Sequence, residues 1–284
     1  MPFELTDRHF QDFHTLGFCI FEHIIPLSLL TDLRREAEKG KEITRQKKGH
    51  QVQRLQPIKN YDLDMKPFTD FATMPDLVDA LKSVLTPAHW YGRAEDDPLA
   101  GTGILFEPAE RPSCTSWHRD WRDNSRGLDV HHWQRVSQDI GLFNQVNCAL
   151  YEDMDLWVIP GSHLRPDLPG EIRRFPTRPI PGPDLEDVTM LEAIERTNLE
   201  YCHSMPGAFQ THLAAGDFML YRNSLWHLGN YTPWRKRATI HDFIGSPAYA
   251  EWMASPPKHP EPDENGWVNP NADTAEYVEV MRDM

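Results

Sequence analysis

Between about residue 100 and residue 245 the chain is a succession of short apolar, β-branched segments punctuated by turn residues. GTGILFEP, DIGLFNQVNCALYE, LWVIP, GDFMLYRNSLWH and KRATIHDFIG each fit a strand. A series of this kind predicts a closed or double-sheet all-β body, because open sheets of many short strands leave unpaired edges. The N-terminal part is mixed. Thr6 is placed to cap a short helix carrying Phe10 and Phe13, which Gly17 would end. FCIFEHII (18–25) is a strand candidate, and 28–39 and 75–85 have helical periodicity, the first with Leu29, Leu30 and Leu33 on one face. The fold class expected is therefore mainly β with flanking helices.

One stretch interrupts the strands. Pro166, Pro169, Pro176, Pro179, Pro181 and Pro183 exclude a central strand over 164–184, since proline lacks a ladder donor. A helix is expected over EDVTMLEAIERTN (186–198). Together, 164–203 reads as an insertion over one end of the barrel, a candidate lid. Residues 255–284 read as a C-terminal surface wrap ending in a short helix at 273–283. No internal repeat is visible, and the whole of 1–284 is expected to form one domain.

The formal net charge of −14 argues against nucleic acid and against an anionic membrane surface as partners. No run approaches the roughly 18 apolar residues of a membrane span. The four cysteines, Cys19, Cys114, Cys148 and Cys202, form no C-x-x-C pair and no evident framework. With no secretory pattern in MPFELTDRHF, a reducing, cytoplasmic location is expected, and a small molecule is the expected partner. The sequence does not give an oligomeric state.

Chemistry enters at SWHRDWRD (116–123). In extended backbone, residues i and i+2 point to one side, so His118 and Asp120 can aim at one point while Arg119 points away. An imidazole and a carboxylate suit a divalent metal. Two histidines and one carboxylate with open positions are the ligand set of mononuclear non-haem Fe(II) oxygenases. A bare HxD is also what a surface salt-bridging pair looks like, so a third ligand is required. Among the downstream histidines, His227 closes the long apolar segment GDFMLYRNSLWH, just before a Gly229–Asn230 turn, where a barrel mouth would place a ligand. Ten residues later, Arg237 and Thr239 share a strand face and could grip a carboxylate. Arg235 has the same parity and is the rival anchor.

WHRD (117–120), LWVIPGSH (156–163), GDFMLYRNSLWH (216–227) and the RKRATIH strand (235–241) together resemble the phytanoyl-CoA dioxygenase family. The opening FHTLGFCIFEHIIPLSLLTDLRREAEK is similar to that family's helix–strand–helix start, so the resemblance spans roughly residues 7–245. It implies a double-stranded β-helix (a jelly roll, cupin-like). It implies His118, Asp120 and His227 as ligands of Fe(II), and Arg237 as the anchor for the distal carboxylate of the cosubstrate 2-oxoglutarate. The implied reaction consumes O2, oxidises a C–H bond of a small organic substrate, and releases succinate and CO2. The presence of Asp120 points to a hydroxylase-type site.

Around this set, Gln145 and Asn147 share a strand face and are candidates to contact 2-oxoglutarate; the alternative is that this face looks to solvent. Trp117, Trp121 and Trp157 are candidate pocket walls or simply core. Arg119, Arg122 and Arg126, with Arg165, Arg173, Arg174 and Arg178, are either groups for an anionic substrate or, the favoured reading, solvated surface pairs. His163 in IPGSH is expected to bond locally rather than to bind metal. The rival functions are a jelly-roll isomerase or hydrolase using another metal, and a catalytically inactive binding relative.

Overall fold

The computed structural model describes residues 3–123, 130–175 and 180–255. The expected tail wrap and its helix therefore lie outside the described residues, apart from Ser255, as do Arg126, Pro176, Arg178 and Pro179.

Helix α1 (Asp7–Leu16) follows Thr6 and ends at Gly17, whose φ of +88° is left-handed backbone that glycine adopts freely. Strand β1 (Phe18–Phe21) covers only the first half of the 18–25 segment, and the chain turns at His23. Helix α2 (Leu27–Lys48) runs nine residues beyond the expected end at 39. The reason is that its buried stripe continues as Leu33, Ala37, Gly40 and Thr44: the helical spacing persists, but the residues become small. After β2 (Arg54–Leu55) come α3 (Lys66–Ala72) and α4 (Pro75–Val84). Helix α4 buries Leu77, Ala80, Leu81 and Val84 at helical spacing, as 75–85 predicts.

The remaining strands are β3 (Trp90–Tyr91), β4 (Gly103–Phe106), β5 (Ser113–Cys114), β6 (Asn144–Ala149), β7 (Leu156–Val158), β8 (Phe209–Gln210), β9 (Phe218–Arg222), β10 (His227–Tyr231) and β11 (Ala238–Gly245). Between them stand α5 (Val130–Val136), α6 (Pro169–Arg174) and α7 (Leu191–Ser204), and α8 (Pro247–Ala254) follows. Helix α7 is displaced from the expected 186–198 because its buried stripe is Ile194, Asn198 and Cys202, which crosses that boundary.

The strands form two antiparallel sheets. The larger has the order β1-β9-β6-β11-β4-β2, with β3 also on β11; the smaller has the order β5-β10-β7-β8. This is the double-sheet jelly roll. Alternation along the central strands divides the core. Val146, Cys148, Phe218, Leu220, Ile240 and Ile244 face outward and join residues of α1–α4 in the main apolar core. Inside, Phe18, Ala149, Leu156, Val158, Met219 and Tyr221 pack together with Leu213 and Leu225. On the far side of the smaller sheet, Trp117, Trp157, Trp226 and Leu228 pack against Cys202 of α7 and neighbouring Met205. All four cysteines are free, although the Cys114 and Cys202 sulfurs lie 3.9 Å apart.

One expected element is two. GDFMLYRNSLWH is split by a turn over Asn223–Trp226, where the Leu225 N–H donates to the Arg222 carbonyl. Residues 218–222 pair with β6 in the larger sheet, whereas 227–229 pair with β7 in the smaller. The chain thus changes sheet inside this segment. His227 opens a strand instead of closing one, and Gly229 and Asn230 lie within β10 instead of forming a turn.

Candidate metal centre

His118 lies in an extended stretch outside the named strands and forms an isolated antiparallel bridge with His227. Each donates its backbone N–H to the other's carbonyl, at 3.0 and 2.9 Å. Residues directly opposite each other in this way have adjacent side chains, and the two imidazole centroids are 4.2 Å apart. Two residues on, the Asp120 N–H donates to the Asn223 carbonyl in the turn that precedes His227. The HxD segment and the start of β10 are therefore fastened together at both ends of the site.

The tautomers follow from local bonds. Nδ1 of His118 lies 2.7 Å from the Ser116 carbonyl, and Nδ1 of His227 lies 2.9 Å from the Leu225 carbonyl. Carbonyls only accept, so both Nδ1 atoms carry hydrogen, and in the neutral imidazoles both Nε2 atoms are left with lone pairs. Those Nε2 atoms face the Asp120 carboxylate, at 3.5 Å from Oδ1 and 3.6 Å from Oδ2. The three donors lie within 4.8 Å of one another. Two imidazole nitrogens and a carboxylate converging on one point fit a divalent cation. The backbone bonds to the outer nitrogens are the orienting contacts that metal-bound histidines commonly make.

Electrostatics favour the donor forms of His227 and Asp120. Burial, aided by neighbouring His118, pushes His227 down to about 4, so its imidazole is neutral and available near pH 7. Burial alone would raise the Asp120 pKa, but the two imidazoles hold it well below the ordinary carboxylate range. For His118 burial works downward, yet the hydrogen bond and charge of Asp120 outweigh it and raise the pKa, so this imidazole competes for a proton with a cation and must be neutral to bind one.

The centre opens into a cavity of about 210 Å³ whose walls include Arg54, Leu105, Gln145, Asn147, Tyr221, Tyr231, Arg237 and His241. Gln145 donates from Nε2 to Asp120 Oδ2 at 2.8 Å and accepts from the Tyr221 hydroxyl at 2.6 Å. Asn147 accepts from His241 Nδ1 at 2.9 Å. Both amides are buried, so the Gln145/Asn147 face looks into the barrel and not to solvent.

Arg237 is 4 % exposed and lines the cavity. Its Nε pairs with Asp153 at 2.9 Å and Asp155 at 3.2 Å, and its guanidinium lies over the Tyr231 ring. The Thr239 hydroxyl donates to Asp153, so it buttresses Arg237 through their shared carboxylate. Burial raises the Asp155 pKa to about 7, while Arg237 holds that of Asp153 down against the same effect of burial. Arg235 points elsewhere: its side chain is 39 % exposed and reaches Asp155 at 3.5 Å.

The three candidate tryptophans are packed away from the cavity. Trp117 and Trp157 belong to the layer under α7, and Trp121 packs edge-on against Trp252. Arg119 and Arg122 are neither solvated nor directed into the cavity. Arg119 donates to the carbonyls of Ser162 and Ser224, and Arg122 pairs with Asp123 and Asp167. Arg119 thereby ties the IPGSH segment to the turn that leads into His227. His163 is buried beside Gly17, outside the metal centre.

Sequence reasoning missed Arg54, Tyr221, Tyr231 and His241. His241 had a legible signal, because it shares strand parity with Thr239 in β11; Tyr221 had none, because the turn over Asn223–Trp226 separates its strand from His227. Tyr231 depends on Gly229, where a Cβ would sit 1.8 Å from the Tyr231 hydroxyl. Arg54 gave no signal, because its strand is two residues long.

No protein-family model and no curated protein sequence matches the chain. Solved structures do. HygX from Streptomyces hygroscopicus, with nickel and 2-oxoglutarate bound, aligns at TM-score 0.57 and 17% identity over 88% of this chain and 90% of that one. EctD from S. alaskensis, with 2-oxoglutarate and 5-hydroxyectoine, aligns at 0.55 and 16% over 86% and 77%. SnoN, a non-haem α-ketoglutarate-dependent epimerase from nogalamycin biosynthesis, aligns at 0.52 and 13% over 84% and 82%. Against one further, longer structure the chain spans half of that chain's length. The chain shares its fold with these 2-oxoglutarate-binding or 2-oxoglutarate-dependent proteins.

Proposed function

We propose that this chain is an Fe(II)- and 2-oxoglutarate-dependent oxygenase that oxidises, most simply by hydroxylation, a C–H bond of a small organic substrate. One observation carries the reading: His118, Asp120 and His227 aim three donor atoms at one point at the wall of a polar cavity. The neighbours' fold supports it, as do the ligands in the HygX and EctD structures. SnoN shows that an epimerase shares the architecture, so the outcome of oxidation depends on how the substrate is presented.

Bound at this triad, ferrous iron would bring the keto acid and dioxygen together and supply the oxidising power, with succinate and CO2 released. The protein's own residues do the rest. Gln145, held by Tyr221, fixes the rotation of the Asp120 carboxylate. The terminal nitrogens of Arg237 take the distal carboxylate of 2-oxoglutarate, while Asp153 and Asp155 hold the guanidinium in place. Leu105 and Leu156 line the same cavity and limit water. The 164–203 insertion, whose α7 packs on β5 and β10, serves as a cover for the smaller sheet within a single domain.

A jelly-roll isomerase or hydrolase has no evident use for a buried, buttressed arginine beside the metal, and an inactive relative has no need to keep all three donors. The test is anaerobic. Iron-loaded protein given 2-oxoglutarate should develop a visible metal-to-ligand charge-transfer band, and admission of oxygen should then yield succinate. Folded, iron-loaded protein that shows neither would favour the rivals.

A further inference from the structure

Arg54 is the charged side chain of the cavity that the described fold leaves without a partner. Asp120 is bonded by Gln145 and faced by two imidazoles, and Arg237 is paired with Asp153 and Asp155. Arg54 has no hydrogen bond or ion pair from its side chain among the described residues, and its Nε is sealed from solvent without an acceptor. Arg54 nevertheless lines the cavity beside the His118, Asp120 and His227 triad. Its position follows from register. Arg54 in β2 stands opposite Leu105 in β4, and Leu105 stands opposite Thr239 in β11. Residues in one cross-strand row point to one face, so Arg54 shares the inner face with Thr239 and Arg237. Two strand spacings, roughly 10 Å, separate it from Thr239.

An arginine stays charged in such a place, and a half-buried charge whose Nε is sealed from solvent without an acceptor is costly. The arrangement makes sense if an anion arrives from outside. Under the reading above, 2-oxoglutarate already commits both of its carboxylates, one at the metal and one at Arg237. The anion for Arg54 must then belong to another molecule. A single guanidinium matches one planar carboxylate by two parallel bonds, whereas a phosphoryl dianion calls for more donors than this wall offers.

We propose that Arg54 binds a carboxylate of the primary substrate, which makes the substrate class a small carboxylic acid. This inference rests on the 2-oxoglutarate reading. It is tested on anaerobic full-length protein loaded with Fe(II) and saturating 2-oxoglutarate. The probes are acetate, butyrate and benzoate, with acetamide, butyramide and benzamide as neutral controls, read as perturbation of the charge-transfer band. The acids should perturb the wild-type band and the amides should not. Arg54→Gln should weaken that response roughly 30-fold or more, Arg54→Lys should keep part of it, and both should bind 2-oxoglutarate within about threefold of wild type. The ligand-free thermal midpoint of Arg54→Gln should be no lower than wild type, because the variant removes a half-buried charge that makes no ion pair among the described residues.

A wild-type band indifferent to every acid, or equally sensitive to acids and amides, overturns the proposal. So does loss of 2-oxoglutarate binding in Arg54→Gln, which would make Arg54 a cosubstrate anchor, and so does a lowered midpoint in both Arg54 variants. Absence of the band itself in wild type sinks the underlying 2-oxoglutarate reading instead.

Discussion

Replacing Arg237 with alanine separates two jobs that the structure gives one side chain. The guanidinium is buried, so its contact with a carboxylate is desolvated. Truncating one partner of such a pair costs about 2–5 kcal/mol, or roughly 30- to 5,000-fold in affinity. Because Asp153 and Asp155 already draw on the same charge, the expectation falls in the middle, at about a hundredfold weaker 2-oxoglutarate binding. Iron binding should persist, since Arg237 makes no hydrogen bond or ion pair to His118, Asp120 or His227. The second job is structural. Removal strands two buried carboxylates and should cost about 3–5 kcal/mol of stability. Adding Asp153→Asn should recover part of that stability without restoring cosubstrate affinity. The assays are anaerobic titration of the charge-transfer band and urea denaturation. Arg235→Ala, which loses only a partly exposed pair, should change neither by more than about 1 kcal/mol. An unchanged 2-oxoglutarate midpoint in Arg237→Ala, or the loss appearing in Arg235→Ala instead, would refute the assignment of the anchor.

Three further outcomes follow from the same contacts. Gln145→Leu frees Asp120 Oδ2 and should weaken iron binding about 10- to 100-fold, measured by competition with a chromophoric chelator. Trp157→Ala should cost about 3–5 kcal/mol in denaturant unfolding but leave the affinities for iron and 2-oxoglutarate near wild type, since the ring is core and does not line the cavity. Asp242 sits on the outer face of β11, where burial pushes its carboxyl up to about 7 against hydrogen bonds from Thr102 and the Phe243 N–H. The folded state therefore binds this proton more tightly than the unfolded chain. Its stabilisation is complete below the ordinary value of 3.8 and is lost as pH rises through about 7. The gap corresponds to roughly 4 kcal/mol as an upper figure. Asp242→Asn should flatten the fall in thermal midpoint between pH 4 and pH 8, and an unaltered profile would show that Asp242 does not control it.

Much of this protein can be read from local pattern. Strand alternation, the helical stripe of α4 and the glycine stop after α1 are properties of neighbouring residues, so they are visible in one dimension. The HxD spacing and the pairing of Arg237 with Thr239 on one strand face are legible for the same reason. Where the sequence misled, a long-range choice overrode local character. Residues 216–227 look like one apolar strand, but the chain leaves the larger sheet at Arg222 and enters the smaller one at His227. That crossing sets His227 opposite His118, and no count of residues between them reveals it. The tryptophans flanking the motif went to the layer beneath α7 and to Trp252, because burial alone does not say which of two cores a large ring joins. Arg54 is the extreme case. A cation in a two-residue strand has no periodicity to read, and only the register β2–β4–β11 turns it toward the metal cavity. Local patterning thus chose the elements and supplied the donor atoms, whereas convergence at one point was decided by cross-strand hydrogen bonds between segments more than a hundred residues apart.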